Sequence, residues 1–85
     1  MIEFKLYGKT KPLIQDIKFL AIKIGGFAKY NETWRIVLTN AKATKQRRNI
    51  IENFCVENNL KCFQEKIDGA DYAQKHLGSF GSFLK

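Results

Sequence analysis

The sequence predicts a small α+β domain, and three observations carry that expectation. Apolar residues alternate with polar ones at the start of the chain. Two later stretches carry apolar residues at the 3–4 spacing of a helix. Around them fall three short runs with the residue types of strands. The predicted order is strand, helix, strand, strand, helix, strand.

Each element has its own signal. Ile2, Phe4 and Leu6 alternate with Glu3, Lys5 and Tyr7, as in a half-buried strand, and Gly8 ends it. Thr10 is placed to cap the first helix, and Pro12 is tolerated in its first turn. Leu13, Ile14, Ile17, Leu20, Ala21 and Ile24 form its apolar stripe, and Gly25-Gly26 stops it. Phe27 to Tyr30 and Trp34 to Thr39 read as a hairpin. A two-residue loop at Asn31-Glu32 pairs Lys29 with Trp34 and Phe27 with Ile36, putting Phe27, Trp34, Ile36 and Leu38 on one face. The second helix runs from about Lys42 to Asn58, with Ala43, Ile50, Ile51, Phe54 and Cys55 inward. Lys61 to Ile67 is the last strand, with Phe63 and Ile67 inward. Beyond it, Ala70, Ala73, Leu77 and Phe80 recur at helical spacing. Residues 69–85 are therefore expected to form a C-terminal helical tail packing on a domain of residues 1–68.

This order resembles the ferredoxin-like, or split β-α-β, sandwich. The resemblance implies both helices on one face of an antiparallel sheet with strand order 4-1-3-2. The helix, Gly-Gly and hairpin run from Leu20 to Thr39 is similar to segments of LAGLIDADG homing endonucleases. The acidic helix of that family is missing, and its activity is not carried over.

Composition narrows the function classes. A chain of 85 residues makes one domain with a thin core and little room for a deep substrate cavity. A hydrophobic fraction of 45% argues against disorder. The net charge of +7, from 15 Lys and Arg against 8 Asp and Glu, favours polyanionic partners. Gln15, Asp16, Lys18 and Lys23 interrupt the stretch from Leu13 to Ile24, so it is not expected to span a membrane. The first residues lack the basic start and apolar run of a secretory leader. Cys55 and Cys62 then read as reduced packing residues of a cytoplasmic protein.

No catalytic set is visible. His76 has no triad partner, and the spacing of Cys55 and Cys62 is not that of a zinc site. Asp68 and Asp71 suit the electrostatics of a tail-helix start. No catalytic residue, metal or cofactor is therefore expected. Gly8-Lys9-Thr10-Lys11 lacks the full phosphate-loop pattern, although backbone amides there, with Lys9 and Lys11, would suit one phosphate.

Two surfaces look suited to binding. The sheet face away from the helices is expected to show Lys5, Tyr7, Tyr30, Arg35, Gln64 and Lys66. Rings among cations suit single-stranded nucleic acid, because bases stack while cations meet phosphates. An RRM uses the same face, but its aromatic RNP1 signature is absent from Trp34-Arg35-Ile36-Val37-Leu38-Thr39. The second surface is Lys42, Lys45, Arg47 and Arg48 at the start of the second helix. The expected function is thus a non-catalytic module binding DNA or RNA. Lys5, Lys9, Lys11, Arg35, Lys42, Lys45, Arg47 and Arg48 would meet phosphates, and Tyr7 and Tyr30 would stack. The alternative is a protein-interaction module, such as a phage or mobile-element inhibitor or adaptor, anchored by Tyr72, Leu77, Phe80 and Phe83. A second copy of the chain, docked through the open sheet face, is a further candidate partner.

Overall fold

The alternation at the start of the chain becomes strand β1 (Ile2–Tyr7) of a computed structural model that describes residues 1–67. There follow α1 (Ile14–Lys23), β2 (Phe27–Asn31), β3 (Thr33–Leu38), α2 (Lys45–Glu57) and β4 (Lys61–Lys66). The result is a small α+β domain with two helices on an antiparallel sheet, ordered β2-β3-β1-β4. Read from the other edge, that order is β4-β1-β3-β2. The proposed tail, residues 69–85, lies outside the described residues, as does Asp68.

Register decides which side chains share a face, because residues directly opposite in an antiparallel pair project the same way. Ile2, Phe4 and Leu6 lie opposite Leu38, Ile36 and Trp34 on one side and Lys66, Gln64 and Cys62 on the other. This is the helix-bearing face. Phe4, Leu6, Ile36 and Leu38 are fully buried there with Ile17 and Ala21 of α1 and Ile51 and Cys55 of α2. A buried side chain of this size contributes roughly 1.5–3 kcal/mol. The other face carries Glu3, Lys5, Tyr7, Phe27, Lys29, Arg35, Val37, Lys61, Phe63 and Glu65.

The hairpin departs from its expected register by one residue. Lys29 lies opposite Arg35, Tyr30 opposite Trp34 and Asn31 opposite Thr33, leaving Glu32 alone at the apex with φ of 65°. This register sets the small Ala28 against the buried Ile36 and lets the Tyr30 ring meet Trp34 edge-on at 5.6 Å. The Thr33 hydroxyl donates to the Leu6 carbonyl, tying the turn to β1. Because strands alternate with period two, the slip exchanges Phe27 and Tyr30 between faces. Phe27 joins the helix-free face, and Tyr30 leaves it.

The last strand is also inverted relative to expectation. Cys62 packs against the core while Phe63 faces away from the helices. Leu60 and Cys62 are the apolar pair that meets α2, which leaves Lys61 and Phe63 for the opposite side. Gln64 and Lys66 consequently lie on the helix-bearing side of this edge strand.

Helix starts differ from the reading as well. Thr10 makes no side-chain cap, and a turn of 3-10 helix at Lys11–Leu13 precedes α1. Thr44 caps α2 instead, its hydroxyl accepting from the Arg47 amide at 3.2 Å, so Lys42 stands before the helix rather than in it. Both helices end in the same way. Gly25 (φ 83°) and Asn59 (φ 56°) turn left-handed, and the next amide reaches back to Ala21 or Cys55, each at 2.8 Å. This is the Schellman arrangement, once with glycine and once with asparagine.

Candidate nucleic-acid interface

Tyr7 and Phe63 stand on neighbouring strands, and their rings meet at 5.5 Å with planes 73° apart. They remain 43% and 54% exposed, which is unusual for paired rings this large. Lys5 and Lys61 complete the walls of an open hollow of about 540 Å³. The register explains the grouping: Tyr7 lies opposite Lys61 and Lys5 opposite Phe63. Lys9 and Lys11, both exposed, follow Tyr7 within a few residues.

The cations here are not equivalent. Lys5 pairs with Glu65 at 2.8 Å, and that carboxylate raises its ammonium above the usual lysine value. Lys61 is exposed and enters no ion pair with the described residues. Arg35 is held away from solvent by Glu3 at 2.8 Å, with 14% of its side chain exposed. A guanidinium so committed is a structural group before it is a phosphate ligand. Burial also holds Lys29, on the same face, below the usual lysine value.

The second basic group lies at the other end of the sheet. Lys23, Thr44, Gln46 and Arg47 line a shallow hollow floored by Ile24 and Ile50. Lys45 is exposed beside them. Arg47 donates to the Lys42 carbonyl at 3.2 Å, and the Lys42 side chain lies against Gly25. Arg48 is half-buried, with its Nε unpartnered.

The fold thus groups Lys5 and Tyr7 at one end and Lys42, Lys45 and Arg47 at the other. It separates Tyr30, which sits 64% exposed on the helix-bearing side. Lys61 and Phe63 were missed by sequence reasoning. The signal was present: taking Leu60 and Cys62 as the inward pair puts Lys61 and Phe63 outward. The phosphate reading of the Gly8 loop loses support, because the Thr10 and Leu13 amides already donate to Gly8 and Thr10 carbonyls at 2.9 and 2.8 Å. Tyr72, Leu77, Phe80 and Phe83, like Asp71 and His76, lie outside the described residues.

Among the described residues, no group of three or more His, Cys, Asp or Glu could hold a metal ion. No helix among them is long and apolar enough to cross a membrane. Compared with known proteins, the chain matches no family model, no curated protein and no solved structure.

Proposed function

We propose that this chain is a non-catalytic, cytoplasmic nucleic-acid-binding module on a ferredoxin-like framework, and that it takes single strands. The framework reading is supported by the element order and by β1 and β3 filling the two central positions. The binding reading is carried by one observation: Tyr7 and Phe63 pair edge to face between Lys5 and Lys61 and stay exposed. A ring that served only the core would be covered.

An unpaired base presents a flat π surface, and stacking it on an aromatic side chain contributes roughly 1–3 kcal/mol. The upright second ring would close one side of that stack. The phosphates flanking the base would reach Lys61 directly and Lys5 in competition with Glu65. Lys9 and Lys11 extend the positive charge beyond β1. Lys42, Lys45, Arg47 and Arg48 offer a second contact to a longer strand. A duplex keeps its bases stacked on each other, so it would use the cations but not the rings.

Fluorescence anisotropy with a labelled single-stranded oligonucleotide at graded salt tests this. Phe63→Ala and Tyr7→Ala should each weaken binding about tenfold with the salt slope unchanged. Lys61→Met should make the slope shallower by about 0.7. Reversing Lys42, Lys45 and Arg47 to Glu should weaken binding of an oligonucleotide long enough to reach both ends strongly, with the fold intact. Absence of binding at about 50 mM salt would refute the reading. Equal affinity for duplex and single strand would refute the stacking part of it.

A further inference from the structure

We propose that Cys55 and Cys62 form an oxidisable dithiol, a modification site that closes into a disulfide between α2 and β4. The cap of α2 builds the geometry. Asn59 turns the chain back, and the Leu60 amide donates to the Cys55 carbonyl at 2.8 Å. β4 therefore leaves over the last turn of the helix it has just followed. Cys62 comes two residues after Leu60, on the helix-bearing side opposite Leu6. There it packs against the core cluster that holds Cys55, with the two thiols as neighbours. Both thiols are free.

The two sulfurs differ in access and charge. Cys55 is buried and Cys62 half-buried, so a small oxidant reaches Cys62 first. The neighbouring Cys55 thiol holds Cys62 below the usual thiol value, against the opposing effects of burial and the Glu52 carboxylate. The same contact, then burial, pushes Cys55 up. Cys62 is thus the attacking thiolate and Cys55 the resolving thiol.

With hydrogen peroxide as oxidant, the Cys62 thiolate attacks one oxygen. The O–O bond breaks, a sulfenic acid forms and hydroxide leaves. The Cys55 sulfur then attacks the Cys62 sulfur. The S–S bond forms, the S–O bond breaks, and the Cys55 proton leaves with the departing hydroxide as water. The thiols together lose two electrons, and the peroxide gains them.

The test treats the folded, fully reduced chain with hydrogen peroxide. Both free thiols should disappear together, with a monomer mass lower by two hydrogens that reductant restores. A peptide map should recover the two cysteines linked, and Tm should rise by roughly 10 °C. Cys55→Ser should stop at a sulfenic acid on Cys62 that dimedone traps. Cys62→Ser should oxidise at least tenfold more slowly. Disulfide-linked dimers in place of the monomer, or sulfinic acid on Cys62 of the unsubstituted chain, would overturn the proposal. So would thiols that survive an excess of peroxide.

Discussion

Lys5 and Arg35 face each other across β1 and β3, yet their charges have different surroundings. The Arg35–Glu3 pair is nearly closed to water, whereas the Lys5–Glu65 pair is not. Removing one partner of a buried pair leaves the other charge uncompensated. Arg35→Met should therefore cost about 3 kcal/mol in urea denaturation, and Lys5→Met about 0.5 kcal/mol or less. Similar losses for both would mean that Glu3 is not sealed by Arg35. Gly26 offers a second contrast. A methyl there would run into the Val37 carbonyl and the Leu38 side chain, so Gly26→Ala should cost about 2 kcal/mol or more. At this scale the sequence was partly legible. The alternation of Ile2, Phe4 and Leu6 marked the inward side of β1, because a central strand with one packed face must alternate. Tyr30 and Phe63 were assigned to the wrong faces, because a slip of one residue exchanges every side chain and a ring suits either face.

Turns and caps governed what was legible among the elements. Gly25-Gly26 announces the end of α1, since glycine enters the left-handed region without penalty. Asn58-Asn59 announces the end of α2 less clearly, although the same hydrogen bonds close it. The hairpin apex was harder still. Nothing about Glu32 advertises a positive φ, and a two-residue loop was the simpler reading of Asn31-Glu32. Glu32→Gly should relax that position and raise Tm by roughly 4 °C, because a left-handed non-glycine residue costs about 1–2 kcal/mol and glycine returns part of it as chain entropy. An unchanged or lower Tm would argue against the one-residue apex. Thr44→Ala should cost about 1 kcal/mol through loss of the α2 cap, while Thr10→Ala should cost little. Thermal melts of the two variants side by side would show whether Thr44 alone carries that role.

Over the whole molecule, the basic groups sit at opposite ends of the sheet, about 20 Å apart along a six-residue strand. An oligonucleotide too short to span that length should sense Lys61→Met but not reversal of Lys45 and Arg47. A longer one should sense both, with additive losses. Titrations across a series of lengths would check this, and a short strand responding equally to both ends would contradict the separation. The arrangement was legible in outline, since a strand and its crossover helix put the loop after β1 and the start of α2 at opposite ends. The hollow was not, because it depends on the β1–β4 register, which joins residues far apart in sequence.

The central place of β1 has a consequence for synthesis on the ribosome. Its first neighbour, β3, emerges about thirty residues later, but its second, β4, begins only at Lys61. At roughly 5–20 residues per second, the gap from Tyr7 to Lys61 lasts roughly 3–10 s. A nascent hairpin with β1 attached would spend part of that time with one edge of β1 unpaired, and that strand carries Phe4 and Leu6. Helices close within microseconds and offer little shelter to a strand edge. Among the described strands, β4 appears last and is the one that covers the free edge of β1, so a stall before residue 61 would leave a nascent chain prone to pairing with its neighbours on the same message.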